Sequence, residues 1–188
     1  MIVLCIAAFV AGFIDAIVGG GGLVQTPATL ITLPQYPVAT LLGTTKIPSF
    51  TGTAIASYQY AKRIRVQWKL LAIMCSSALI AAIIGSYTVS MVSNRFMKPV
   101  IFCVLIAVAV YTYAKKDFGT TTEKNLHSKH ELLYGSIFAI VLGFYDGFIG
   151  PGAGSFLVLF FIGALGFDFL KASAHAKFVN LATNIGSI

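Results

Sequence analysis

The chain has 188 residues, of which 57% are hydrophobic and 10% are Asp, Glu, Lys or Arg, against about 25% charged in an ordinary soluble domain. That balance excludes a soluble globular protein, a disordered chain and a disulfide scaffold, and it predicts an all-α, polytopic membrane protein lodged in a lipid bilayer. A net charge of +7 would suggest nucleic acid in a soluble domain. Here most basic residues fall in short loops between apolar runs, where they act as topology signals, so no nucleic-acid partner is expected.

A first apolar element covers residues 1–18 and ends at Gly19, Gly20, Gly21 and Gly22. No basic region precedes its apolar run, so it is not read as a cleaved signal peptide. A short apolar piece, 23–33, stops at Pro34 and Pro37, and helical spans fit 38–61, 67–92 and 96–114. A polar connector, 115–130, then separates a first transmembrane unit, 1–114, from a second, 131–188. The second unit holds an apolar element at 132–149, a glycine break at Gly150, Pro151, Gly152, Ala153 and Gly154, a short piece at 155–165, and a last span from residue 169. Cys5, Cys75 and Cys103 lie in apolar runs without paired spacing and are expected to be packed thiols, while His127 and His130 fall in the solvated connector.

The order of elements after the connector repeats the order before it, at an offset of 131 residues. Gly12-Phe13-Ile14-Asp15 aligns with Gly143-Phe144-Tyr145-Asp146, Gly19 with Gly150, Gly21 with Gly152, and Lys46 with Lys177. This predicts an internal duplication. Counterparts of 67–92 and 96–114 do not follow the last span, which implies either a shortened chain, the preferred reading, or two helices supplied by a partner.

Loop charges give an orientation. Lys62, Arg63, Arg65 and Lys69, with Lys115, Lys116, Lys124 and Lys129, make eight basic residues on one side against Arg95 and Lys98 on the other, which places the eight in the cytoplasm. Trp68 sits where an interfacial aromatic anchor is expected. Residues 1–33 are too long for one straight span, and 23–33 alone is too short, so each glycine run is expected at the tip of a re-entrant hairpin. Three full spans per unit then make the two units inverted repeats, with Asp168 and Lys171 cytoplasmic and both tips meeting in the protein interior, where irregular backbone can be satisfied.

The residues that could carry chemistry cluster at these breaks. Backbone N–H groups at Gly19, Gly20, Gly21 and Gly22, and at Gly150, Gly152 and Gly154, open onto the positive end of a half-helix, for which an anion is the natural ligand. Tight helix approach is the alternative use of such glycines. Lys46 and Lys177 stand isolated in apolar surroundings, where an ionisable group costs at least about 2.5–3.5 kcal/mol on insertion scales and calls for a partner or a function, snorkelling being the alternative. Asp15 and Asp146 are the only acids within apolar elements. They are candidates for neutralising the lysines, for coupling to a proton or sodium, or for bonding the exposed backbone of the breaks. Thr44, Thr45, Ser49, His175, Asn180, Thr183 and Asn184 add polar groups to the lysine-bearing helices, Asn180 and Asn184 sharing one face. No nucleophile set or metal cluster appears in the sequence, so neither an enzyme nor a cofactor is expected.

Taken together, Gly12-Phe13-Ile14-Asp15 leading to the first glycine run and Pro27, then Leu42-Gly43-Thr44-Thr45-Lys46-Ile47, then Ala176-Lys177-Phe178-Val179-Asn180 with Thr183-Asn184, resemble the TauE/SafE family of sulfite and organosulfonate exporters. The resemblance covers essentially all of the chain, as the first three quarters of a family member. It implies secondary transport of a small, often sulfur-containing, anion across the bacterial inner membrane. A membrane-embedded enzyme or assembly factor without a transport cycle is the competing class. Pro151, inside the second glycine run, makes the two tips inequivalent.

Overall fold

A computed structural model describes residues 2–17, 20–114 and 128–188. Among these the regular secondary structure is all helix: α1 (Ile2–Ile17), α2 (Gly22–Thr32), α3 (Val38–Arg63), α4 (Trp68–Met91), α5 (Asn94–Ala114), α6 (Ser128–Phe148), α7 (Ala153–Gly163) and α8 (Phe169–Ser187). Most of the connector, including His127, lies outside the described residues, and α6 begins inside the stretch assigned to it. Among the described residues, three helices are long and apolar enough to cross a membrane, in the stretches Trp68–Met91, Asn94–Tyr111 and Glu131–Phe148.

The helix bounds follow the 131-residue offset. Gly22 and Thr32, moved on by 131, land on Ala153 and Gly163, the bounds of α7, and Val38 lands on Phe169, the start of α8. Local chemistry explains the ends. At the C-terminus of α2, Thr29 and Thr32 donate their hydroxyls to carbonyls one turn back, and Pro34 and Pro37 prevent continuation. Helix α3 starts after Pro37, and its first N–H, on Val38, is met by Oδ1 of Asn94 at 2.9 Å, from the start of α5. Helix α8 caps itself, Asp168 accepting from the Lys171 N–H at 2.9 Å.

Packing centres on α4, which lies along α6 and α8. Without a hydrophobic driving force between helices in lipid, close approach depends on small residues. Ala78, Ala82 and Gly85 of α4 face α6 so tightly that a Cβ on Gly143 would stand 2.5 Å from the Ala78 carbonyl oxygen, and one on Gly147 would collide with that of Ala82. Met74, Phe161, Leu157 and Val179 fill the core between α4, α7 and α8. A smaller cluster of Val38, Leu42, Met97 and Ile101 joins α3 to α5. At the start of α4 the Gln67 N–H donates to Nε2 of His175 at 3.0 Å, and Nδ1 of the same ring meets the Lys171 carbonyl at 2.7 Å. Trp68 is exposed beside this contact, its ring edge-on to Phe178.

The packed-thiol expectation fails for two cysteines. Cys5 and Cys103 are exposed and only Cys75 is partly buried, because their apolar runs turn those faces outward instead of into the helix contacts.

Candidate functional site

Both helix breaks owe their form to glycine. At the first, the Gly21 N–H points back to Oδ1 of Asp15 at 3.4 Å, and no side chain fits at Gly21 because a Cβ would collide with the Ala11 carbonyl. At the second, Gly150 (φ +94°) and Gly152 (φ +86°) take backbone conformations that L side chains avoid. The Tyr145 hydroxyl braces this turn by donating to the Pro151 carbonyl at 2.5 Å, and Gly152 leaves room for Val108 of α5. The two tips touch: a Cβ on Gly22 would stand 3.2 Å from Cα of Pro151, and one on Gly20 would stand 3.6 Å from Oγ of Ser155.

Beneath the tips lies a small polar cavity of about 20 Å³ lined from six helices and the second break. Its walls include Asp15, Gly22, Thr45, Lys46, Ser49, Asp146, Gly150, Gly152, Gly154, Asn180 and Asn184, all singled out in the sequence. Gly154 belongs to the first turn of α7 and Gly22 to that of α2, so each contributes from a helix start. Gly20, Gly21 and Lys177 lie just outside the lining. Thr44 is turned away from it: exposed, its hydroxyl donates to the Thr40 carbonyl at 2.8 Å. Residues three and four along a helix share a face while adjacent ones do not, which separates Thr44 from Thr45 and Ser49. Gly19 lies outside the described residues.

The charges pair across the two units. Nζ of Lys46, on α3, is 2.7 Å from Oδ1 of Asp146, on α6, with side chains 8% and 3% exposed, so this is a buried ion pair and not a snorkelling lysine. Lys177, on α8, reaches the opposite way and donates to the main-chain carbonyl of Asp15, on α1. The remaining carboxylate oxygens, Oδ2 of Asp15 and Oδ2 of Asp146, are buried without a hydrogen-bond partner among the described residues. Between the two lysine helices, Nδ2 of Asn184 donates to Oγ1 of Thr53 at 3.3 Å, and these residues are themselves 131 apart.

Sequence reading passed over Thr26, which is 1% exposed and lines the cavity, and over Thr53, which is fully buried. Thr26 follows Gln25 near the start of the half-helix, one turn after the glycine run, and such a polar pair next to a break is the signal that would have found it.

Helices able to span a bilayer, packed with shorter helices around a buried, charged cavity where two glycine breaks meet, define a multi-pass membrane protein built as transporters are built. The family described as "Sulfite exporter TauE/SafE" matches residues 4–188. The chain is 37% identical over 188 residues to the "Probable membrane transporter protein ORF9" of Sinorhizobium sp, covering 98% of this chain and 69% of that protein. It is 34% identical over 186 residues to a "Probable membrane transporter protein" of Haemophilus influenzae, covering 99% and 71%. With the "Probable membrane transporter protein YfcA" of Escherichia coli K12 it shares 33% identity over 190 residues, covering 99% and 68%. No solved structure matches it. The chain belongs to the sulfite exporter TauE/SafE family and is a multi-pass membrane transporter.

Proposed function

We propose that the chain carries the substrate site of a secondary transporter for a small oxyanion, of the sulfite or organosulfonate class, in the bacterial inner membrane. The observation that carries this reading is Lys46, 7% exposed, opening its ammonium onto a cavity where two glycine breaks meet. A buried cation is costly in a membrane unless it serves a ligand or a partner, and the half-helix starts at Gly22 and Ala153 add the positive ends of two helix dipoles. Glycine supplies the bare backbone N–H groups that an oxyanion accepts from, and Asn180, Asn184, Ser49 and Thr45 supply neutral donors.

The crossed pairs support a two-fold relation between the two units, which inverted repeats require. Lys46 to Asp146 and Lys177 to Asp15 exchange under the 131-residue offset, and Thr53 meets its own counterpart Asn184, as residues on a two-fold axis do. Two such units around one site are the usual construction for alternating access. Asp15 and Asp146, the carboxylates at the cavity, are the two candidates for proton or sodium coupling.

The test is efflux or counterflow of labelled sulfite, sulfonate and sulfate in proteoliposomes. Saturable counterflow of one of them is expected, with the concentration for half-maximal rate raised in Lys46→Met while membrane insertion is kept. Unchanged transport in both Lys46→Met and Lys177→Met would overturn the reading.

A further inference from the structure

The two lysines are engaged differently, and the difference bears on how the site takes its ligand. Lys177 is held by a main-chain carbonyl, which cannot titrate and cannot leave its helix. Lys46 is held by a carboxylate. That carboxylate has the charge, the planar oxygen pair and the 2.7 Å hydrogen bond that one edge of a bound oxyanion would present to the same ammonium. The free space beside it, about 20 Å³, holds no more than about one water, since a water needs roughly 10–15 Å³ by this measure. A sulfonate, which carries a carbon and three oxygens on its sulfur, cannot share the cavity with the closed ion pair.

We propose that Asp146 is a tethered counter-anion that occupies the place of the transported oxyanion on Lys46, and that it yields that place by taking a proton, so that anion and proton enter the site together. This rests on reading the cavity as the anion site. The exchange balances: a proton from the aqueous phase adds to the Asp146 carboxylate to give the neutral acid, Lys46 keeps its three protons, and one N–H that donated to Asp146 donates to an oxygen of the anion. The net charge of the site is unchanged for a monovalent anion.

The surroundings of Asp146 favour this exchange. Its Oδ2 has no hydrogen-bond partner among the described residues, so the carboxylate loses the donor that Lys46 gave its Oδ1 once the anion has taken the lysine. An unpaired buried charge is far costlier than a neutral acid. The other ionisable groups nearby do not substitute for Lys46. Asp15, across the cavity on α1, is of like charge. Lys177 of α8 is committed to the Asp15 carbonyl, and the Tyr145 hydroxyl to Pro151. His175 and Lys171 stand at the start of α8, around Gln67. On α4, Lys69, Cys75 and Tyr87 are absent from the cavity wall, and α7 has no ionisable side chain. Asp15 serves the fold instead, its carboxylate accepting from the Gly21 N–H and fastening the first break.

The experiment is calorimetric binding of methanesulfonate, whose own charge is constant across the pH range, to the purified full chain in detergent, in buffers of different ionisation enthalpy. Wild type should take up about one proton per anion bound, and affinity should fall about tenfold per unit rise in pH where Asp146 is ionised in the free protein. In Asp146→Asn, binding should persist with proton uptake lost and affinity independent of pH. Wild-type binding without proton uptake overturns the proposal even if the variant does not fold. Uptake that survives in Asp146→Asn, or vanishes in Asp15→Asn instead, overturns it as well. If methanesulfonate, sulfite and sulfate all fail to bind wild type at any pH, the anion-site reading falls and this proposal with it, whereas binding with no proton uptake leaves that reading standing.

Discussion

Helices α1 to α3 and α6 to α8 have matching patterns 131 residues apart, yet they are packed to very different depths. Gly143 of α6 is pressed against the Ala78 carbonyl, while its counterpart Gly12 on α1 has nothing within 4 Å of the place where a Cβ would sit. His175 of α8 is fully buried against Gln67, and its counterpart Thr44 on α3 is exposed. Gly186, whose Cβ would stand 2.6 Å from the Leu79 carbonyl, corresponds to Ile55, which is 66% exposed. In the two glycine comparisons the tight member lies against an α4 carbonyl, and in the third it lies against Gln67, just before α4. A glycine or small residue in these helices is therefore uninformative alone: whether it is a seam or an open notch depends on a neighbour contributed from elsewhere in the chain.

The same inequality separates the two lysines, and it gives the largest expected effect. Lys46→Met strands the buried Asp146 carboxylate and should destabilise the folded protein by about 3–5 kcal/mol. Lys177→Met breaks a hydrogen bond to a main-chain carbonyl and removes a positive charge near the Asp15 carboxylate without breaking a direct ion pair, a loss of about 1–3 kcal/mol. Unfolding of both variants in mixed detergent reads the difference, and equal losses would mean that the two lysines are held alike.

Next in size is the glycine seam. Gly143→Val must push α6 off α4 and should cost about 1–3 kcal/mol, the usual penalty of overpacking. Gly12→Val enters open space and should stay within about 0.5 kcal/mol of wild type. A comparable loss in Gly12→Val, measured by the same unfolding curve, would show that α1 has a tight neighbour of its own.

The smallest effect concerns the two helix starts, one capped from a distance and one by its own residue. Asn94→Ala removes the acceptor for the Val38 N–H, and Asp168→Ala removes the one for Lys171, at about 1 kcal/mol each. Hydrogen exchange should locate them differently. Asn94→Ala should speed exchange at the start of α3, 56 residues away in sequence, and Asp168→Ala should speed it only at the start of α8. Acceleration confined to α5 in Asn94→Ala would remove the long-range cap.

Most of the architecture is legible in the residues themselves. Pro34 with Pro37 and the two glycine runs mark ends that α2, α3 and α7 keep to within a few residues, because proline and glycine act on the backbone locally, whatever surrounds them. Lys46 and Asp146 are conspicuous because a charge in an apolar run demands compensation. Thr26 and Thr53 are not, since a threonine can satisfy its hydroxyl on its own helix and carries no such demand. Cys5 and Cys103 mislead because in a membrane protein an apolar face can point outward as readily as inward.

What the sequence determined, then, was the set of helices, their breaks, the 131-residue correspondence and the residues too polar for their surroundings. Only the tertiary structure decided that Lys46 meets Asp146 while Lys177 meets a carbonyl, that Thr44 faces away while Thr45 faces in, and that α4 presses on Gly143 and Gly186 while their counterparts Gly12 and Ile55 stay open. The physical reason is range. Helix ends, breaks and the cost of a buried charge are set by the few residues around them, whereas a partner for that charge, or a carbonyl pressed on a glycine, comes from chain as much as 162 residues away and exists only once the helices have packed.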